Sequence, residues 1–304
     1  MGSPDFALPI LDALVQSGRY RPLLVITQPD RAKGRGRRVL PTPVKARAVE
    51  LGIPVRAMAR SDYEAVAAEI VALRPDAIAV AAFGLILKRD LLEAPPLGCV
   101  NVHASLLPRY RGVSPIQAAI LAGDRETGCT TMRMDEGIDT GGILLRAAVE
   151  IRTDDTAGTL SERLAIVGAR LLIQTLDGLR EGVIHPVPQN DASASYAKKI
   201  RKEDGLIDWT LDAETIERRI RAMSPWPSAY THVGGRRLIV LEAAVCRAPG
   251  AALGPGVVVR TTPLVVACGS DALEIRRLQV EGRKAMAPQA FLTGHPLEAG
   301  DKFC

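Results

Sequence analysis

Between residue 7 and about residue 180, short apolar runs alternate with amphipathic stretches, and few folds accommodate that alternation. Helical spacing runs through residues 7–15, after a Ser3-Pro4-Asp5 start, and again through 43–51, 63–73, 114–122 and 159–179. Strand-like runs fall between them at residues 23–27, 53–55, 76–82, 99–103 and 130–134. The 76–82 run is almost wholly apolar, as befits a strand covered on both faces of a parallel sheet. The alternation predicts a doubly wound α/β domain with a mostly parallel sheet over residues 1–182. Such a domain ordinarily opens with a central strand. Here Met1 leads at once into a Gly2-Ser3-Pro4-Asp5 turn, so the first strand is expected to be missing from this sequence.

The pattern breaks over residues 183–201 into Pro, Asn, Asp and Ser, which reads as a linker. Beyond it a short helix is predicted at 213–223. Short strands then follow near Tyr230 and at 237–241, 257–260, 264–268 and 273–275, between Gly and Pro turns. That spacing predicts a small OB-like β-barrel over residues 202–304. Aromatic residues are only 4% of the chain, so both cores must be aliphatic. Trp209 and Trp226 are expected in the second core rather than as base-stacking residues.

Five cysteines, odd in number and without a Cys-x-x-Cys pair, suggest neither zinc nor a disulfide framework, and no metal site is expected. The longest apolar run, residues 77–87, falls short of the ~20 residues that span a bilayer. No basic segment precedes an apolar stretch at the N-terminus, so a cytoplasmic, membrane-independent protein is expected. The net charge of +5 permits a polyanionic partner without requiring one.

The most informative chemistry lies in Asn101-Val102-His103-Ala104-Ser105-Leu106-Leu107-Pro108. Residues two apart on a strand face the same way, so Asn101 and His103 project together. They stand at the C-terminal end of a predicted strand, where open α/β sheets bind ligands. An amide and an imidazole N–H suit a carbonyl oxygen that gains negative charge during acyl transfer. The plainer alternative makes Asn101 a strand cap and His103 a satisfied core residue. Downstream, the loop Asp135-Glu136-Gly137-Ile138-Asp139-Thr140-Gly141-Gly142 offers a carboxylate that could fix the tautomer of His103. By itself such a loop is often only a solvated turn.

Asn-x-His-x-Ser-Leu-Leu-Pro followed by Asp-x-Gly-x-Asp-Thr-Gly resembles the 10-formyltetrahydrofolate-dependent formyltransferases. The segments Gly2-Ser3-Pro4-Asp5-Phe6, Gln28-Pro29-Asp30-Arg31, Gly34-Arg35-Gly36, Phe83-Gly84-Leu85-Ile86-Leu87, Asp204-Gly205-x-Ile207-Asp208-Trp209 and Pro225-Trp226-Pro227 are similar to the members that act on methionyl-tRNA. The resemblance implies Asn101, His103 and Asp139 as the catalytic trio. It implies a folate co-substrate held by Ser105, Leu106, Leu107 and Pro108, with Phe83, Gly84, Leu85 and Ile86 at its pterin end. Ala104 stands where many members have Gly, and Lys88 where many have Pro.

Five positive charges, Arg31, Lys33, Arg35, Arg37 and Arg38, follow the 23–27 strand, with glycines at 34 and 36. A charge run is usually a solvated loop. This one follows a strand end, on the rim where the chemistry is expected, and arginine suits phosphates and bases. The resemblance implies that it enters the acceptor stem of initiator methionyl-tRNA, with Lys199 and Lys202 tracking phosphates nearby, and a monomer is expected. Two rivals remain at this level: a formyltransferase acting on a sugar-nucleotide amine, and a non-catalytic RNA-binding protein on the same scaffold.

Overall fold

A computed structural model describes residues 1–33, 38–247 and 254–304. Its contacts separate two units, Met1–Pro115 with Glu126–Glu150 and Ser161–Lys198, and Ile116–Arg125 with Ile151–Leu160 and Lys199–Cys304.

The first unit begins with helix α1 (Leu8–Gln16), strand β1 (Val25–Thr27) and an antiparallel hairpin of β2 (Arg31–Lys33) and β3 (Arg38–Leu40). Helix α2 (Pro43–Glu50) follows, with proline in its first turn and the Thr42 hydroxyl accepting from Lys45 N–H at 3.2 Å. Strand β4 (Val55–Ala57) lies parallel to β1. Next come α3 (Tyr63–Ala72), β5 (Ile78–Val80), α4 (Arg89–Glu93) and β6 (Cys99–His103), with β5 and β6 parallel. After β7 (Arg111–Gly112) the chain runs through α5 (Pro115–Ala122), which from Ile116 belongs to the second unit, and strands β8 (Glu126–Arg133) and β9 (Ile143–Glu150) then extend the sheet antiparallel, in the order β5-β6-β8-β9. The long α6 (Ala157–Arg180) and β10 (Tyr196–Ala197), parallel to β7, complete the series.

Strand alternation sorts the sheet's side chains into two cores. Val100 and Val102 join Ile10 and Leu11 of α1, Val44 and Ala48 of α2, and Ala169, Leu172 and Leu176 of α6. Cys99, Ile78 and Val80 join Val66, Ala67 and Ile70 of α3 and Leu91 and Leu92 of α4. Helices on both faces make this the doubly wound arrangement read from the sequence. The contact of α6 with the sheet is close, since a Cβ on Gly168 would lie 2.7 Å from a Val102 methyl.

Two features were not anticipated. Residues 31–33 and 38–40 pair as antiparallel strands where the sequence reads as a loop. Strand β9 is an additional edge, and its burial alternates from Leu145 onward as a half-covered strand requires. Met1 and Gly2 sit between β1 and β5, where the central opening strand of such a sheet belongs. Gly2 N–H donates to Ile26 C=O at 3.0 Å and Ala81 N–H to Met1 C=O at 2.9 Å. Beside them lies a cavity of ≈ 650 Å³ lined by Leu11, Val25, Ile26, Ile70, Ile78 and Ala79.

The second unit holds α7 (Ala213–Ala222), capped by the Asp212 carboxylate on Thr215 N–H at 2.8 Å. Its strands are β11 (Ala229–Val233), β12 (Arg236–Cys246), β13 (Val258–Thr261), β14 (Leu264–Ala267) and β15 (Ala272–Val280), followed by α8 (Pro288–Gly294). All pairings are antiparallel, in the order β11-β12-β15-β14-β13. Trp209 is buried in this core, donates to the Thr231 hydroxyl at 2.9 Å and meets Phe303 edge-on. Trp226 departs from the expectation: the turn between α7 and β11 holds it outside the core, 52% exposed. Among the described residues no helix is long and apolar enough to cross a membrane.

Burial pushes the thiols of Cys99, Cys129 and Cys268 up to about 12, whereas Cys304 is exposed. Thiolate is the reactive species. Titration of the native protein with a chromogenic disulfide at pH 8 should therefore modify Cys304 first, leaving these three untouched until denaturant is added. Labelling of Cys129 at the rate of Cys304 would contradict the packing described.

Candidate active site

Strand β6 presents Asn101 and His103 on one face, with only 9% and 6% of their surfaces exposed. The strand is central, paired through Val80–Asn101 on one side and His103–Thr130 on the other, so both side chains are fixed from below by two ladders. Asp139 arrives from the β8–β9 loop with φ of 54°, in the left-handed region. The loop turns back so tightly that a Cβ on Gly141 would lie 1.9 Å from Arg133 C=O, which is why glycine stands there.

The three side chains converge. Asn101 Nδ2 donates to Asp139 Oδ1 at 3.4 Å, and His103 Nδ1 lies 3.5 Å from Asp139 Oδ2. Gly112 N–H also donates to Oδ2, at 2.8 Å. The far ring nitrogen, His103 Nε2, lies 2.9 Å from Tyr110 C=O. A carbonyl only accepts, so Nε2 carries a proton in this pairing. The ring thus bridges a carbonyl and a carboxylate, an environment that satisfies both N–H groups of an imidazolium. Tyr110, like Asp139, is a non-glycine residue with positive φ, 58°. Two such residues at one site mark stored backbone strain, of order 1–3 kcal/mol each.

The loop leaving β6 is built from below by Thr130. Its hydroxyl donates to Ser105 C=O at 2.7 Å and accepts from Leu107 N–H at 3.0 Å. The Ser105 hydroxyl donates in turn to Arg109 C=O at 2.6 Å. Ser105 and Leu107 are buried, Leu107 against Met132 and Ile143, while Leu106 and Pro108 are half-buried. Of these four, then, Leu106 and Pro108 keep accessible side-chain surface, whereas Ser105 and Leu107 are packed inside. The segment after β5 behaves similarly. The Phe83 ring is core, Leu85 is half-buried, and Gly84 and Ile86 are exposed. Phe83 C=O accepts from Gln28 Nε2 at 2.7 Å, which ties the root of the basic hairpin to this segment. Since β5 and β6 are parallel neighbours, both segments leave the same edge of the sheet.

Arg35 and Arg37 lie outside the described residues. Arg31, Lys33 and Arg38 lie on the backbone of the hairpin. Lys199 and Lys202 are exposed and belong to the second unit, whereas the trio belongs to the first.

Sequence reasoning missed the supports of Asp139. Gln189, in the stretch read as linker, donates from Nε2 to Asp139 C=O and Gly141 C=O, both at 2.8 Å. Buried Arg111 donates from Nε to Gln189 Oε1 at 3.0 Å. Neither contact has a local signal, because both join residues far apart in the chain. Among the described residues no group of three or more His, Cys, Asp or Glu could hold a metal ion.

The formyl transferase family profile matches residues 1–176, and its C-terminal domain profile matches residues 199–296. This chain belongs to the formyl transferase family. It is 45% identical over 303 residues to the methionyl-tRNA formyltransferase of Geobacter metallireducens, covering 99% of this chain and 96% of that protein. It is 47% identical over 302 residues to that of Pelobacter propionicus, covering 99% and 93%. The fold is shared with an N-formyltransferase from Helicobacter canadensis in complex with folinic acid and dTDP-3-aminofucose, at TM-score 0.64, 20% identity and coverage of 90% and 97%. It is also shared with HypX of Aquifex aeolicus in complex with tetrahydrofolic acid, at TM-score 0.60 and 17% identity, covering 88% of this chain and 46% of that one.

Replacing Thr130 by valine keeps the shape but orphans the Ser105 carbonyl and the Leu107 N–H. The T130V formyl transferase should lose about 1–3 kcal/mol of stability, read from the urea midpoint. An unchanged midpoint would mean that the hydroxyl does not organise this loop.

Proposed function

We propose that this chain transfers the formyl group of 10-formyltetrahydrofolate to the α-amino group of initiator methionyl-tRNA. The observation that carries the reading is the convergence of Asn101, His103 and Asp139 at the end of β6. The full-length similarity to methionyl-tRNA formyltransferases supports the choice of acceptor.

The amine attacks the formyl carbon, a C–N bond forms, and the carbonyl oxygen becomes an oxyanion. Asn101 has a second amide hydrogen beyond the one directed at Asp139, and that hydrogen stabilises the oxyanion. His103 adds its own N–H by exchanging Tyr110 C=O for the substrate oxygen. Asp139, whose carboxylate stands beside Asn101 and His103, accepts the proton released from the attacking nitrogen. The tetrahedral intermediate then collapses, its bond to the folate nitrogen breaks, that nitrogen takes up the proton held by Asp139, and tetrahydrofolate leaves with the carboxylate restored. An α-amine titrates near ~7.7–8.0, so a useful fraction is already neutral, and positioning carries much of the rate.

The folate would lie along the edge formed by Gly84, Leu85, Ile86, Leu106 and Pro108, with the backbone of Phe83, Ser105 and Leu107 beneath it. The acceptor stem would meet Arg31, Lys33, Arg35, Arg37 and Arg38, in the segment that follows Gln28 beside Phe83. Lys199 and Lys202 would follow the phosphates, with residues 1–182 performing the transfer and residues 202–304 holding the tRNA. The enzyme would work as a cytoplasmic monomer.

Incubation with 10-formyltetrahydrofolate and either methionyl-tRNA or an amino-sugar nucleotide should add the formyl mass to methionine alone; a formylated sugar would overturn the assignment of the acceptor. H103A should lower kcat about 100-fold or more while tRNA affinity stays within about twofold. Transfer at the unaltered rate would refute the mechanism.

A further inference from the structure

Asp139 reaches its partners only because the loop carrying it is held in a conformation that a non-glycine residue avoids. The carboxylate is held by Gly112 N–H, but that bond does not hold the backbone. Both hydrogens of the Gln189 amide do so, one on Asp139 C=O and one on Gly141 C=O, so they bracket the turn on either side of Thr140. The orientation of this amide is not free. Its oxygen accepts from Arg111 Nε, and a flip would turn N–H groups toward the guanidinium and the oxygen toward two carbonyls.

Arg111 is itself fixed. It is 2% exposed, donates to Asp191 Oδ1 at 2.7 Å and lies 3.4 Å from the Tyr196 hydroxyl. Its own N–H donates to Ser195 C=O at 2.8 Å. Adjacent residues of β7 therefore hold the two halves of Asp139: Gly112 its carboxylate directly, and Arg111 its backbone through Gln189. On the other flank Val187 exchanges two hydrogen bonds with Ile143, both at 2.8 Å, which keeps residues 187–189 against the start of β9.

We infer that Gln189 is a positioning residue for formyl transfer: it locks the 139–141 turn so that the Asp139 carboxylate faces Asn101 and His103, and Arg111 orients it. The inference rests on the reading of Asp139 as the catalytic carboxylate. It gives the Arg111–Gln189 pair a role in the rate of transfer rather than in substrate binding.

Two substitutions separate this role from general stability. Q189E retains an acceptor for Arg111 and gains a charge opposite it, but loses the donors to Asp139 C=O and Gly141 C=O. Q189A loses all three bonds. Steady-state kinetics with 10-formyltetrahydrofolate and methionyl-tRNA would be compared for the unaltered chain, both variants and D139N, together with amide hydrogen exchange over residues 135–142. Both Gln189 variants should lower kcat about tenfold, with KM for either substrate within about twofold and faster exchange in the loop. Q189E, which orphans two carbonyls but still accepts from Arg111, should unfold at a somewhat lower midpoint while remaining folded at the assay temperature. D139N should lower kcat about 100-fold or more without that rise in exchange. If D139N is slow while Q189E and Q189A turn over within twofold of the unaltered chain, Gln189 does not position the carboxylate. If D139N keeps its full kcat, the reading of Asp139 fails, and faster loop exchange in Q189E would then assign Gln189 a structural role only. Should Q189A fail to fold, Q189E with its exchange pattern decides: unaltered exchange and kcat overturn the inference.

Discussion

The register of β6 is the constraint on which the site depends. Side-chain direction alternates along a strand, so a slip of one residue would send Asn101 and His103 into the aliphatic cluster that now takes Val100 and Val102. Two ladders oppose that slip, a parallel one to β5 and an antiparallel one to β8. So does the cost of burying an amide and an imidazole without partners. The same register that fills both cores therefore delivers two polar side chains to the sheet's edge.

That part of the design could be read from the sequence, because it is local. A five-residue apolar strand with Asn and His two apart states its own geometry, and the 3.6-residue period marks the helices around it. What the sequence hid is non-local. Arg111, Gln189 and Asp139 are far apart in the chain, and their association follows from β10 pairing with β7 and from Val187 meeting Ile143. The composition of residues 183–201, rich in Pro, Asn, Asp and Ser, describes an irregular backbone but not where it lies. Irregular segments that stay ordered must place their polar groups somewhere, and here Gln189 holds the loop that carries Asp139. Strand β9 was missed for a different reason. Its first three residues, Ile143, Leu144 and Leu145, are all apolar, and Ala147 beside Ala148 blurs the alternation that its burial later shows.

Trp226 and Trp209 extend the point to the second unit. Both are aromatic residues beside turn formers, and burial was the reasonable expectation for each. Trp209 finds a hydroxyl for its indole N–H and an aromatic edge to pack on, which lets a large amphipathic ring be buried without an orphaned donor. Trp226, flanked by Pro225 and Pro227, is held in a turn and stays half outside. Sequence composition cannot distinguish them, because the difference lies in what the rest of the unit brings alongside.

Positive φ at Tyr110 and Asp139 links the scaffold to the chemistry. Each residue supplies a group to the same imidazole, Tyr110 a backbone carbonyl to Nε2 and Asp139 a carboxylate toward Nδ1. Strained conformations persist only where surrounding contacts over-determine them. Tyr110 is held by the Ser195 hydroxyl accepting from its N–H at 2.9 Å, and Asp139 by Gln189 and Gly112. Both supports draw on the segment that follows α6. In this formyl transferase, the strain that aims the acid and the carbonyl at His103 is therefore sustained from outside the alternating strand–helix pattern, by residues that contribute little to either core.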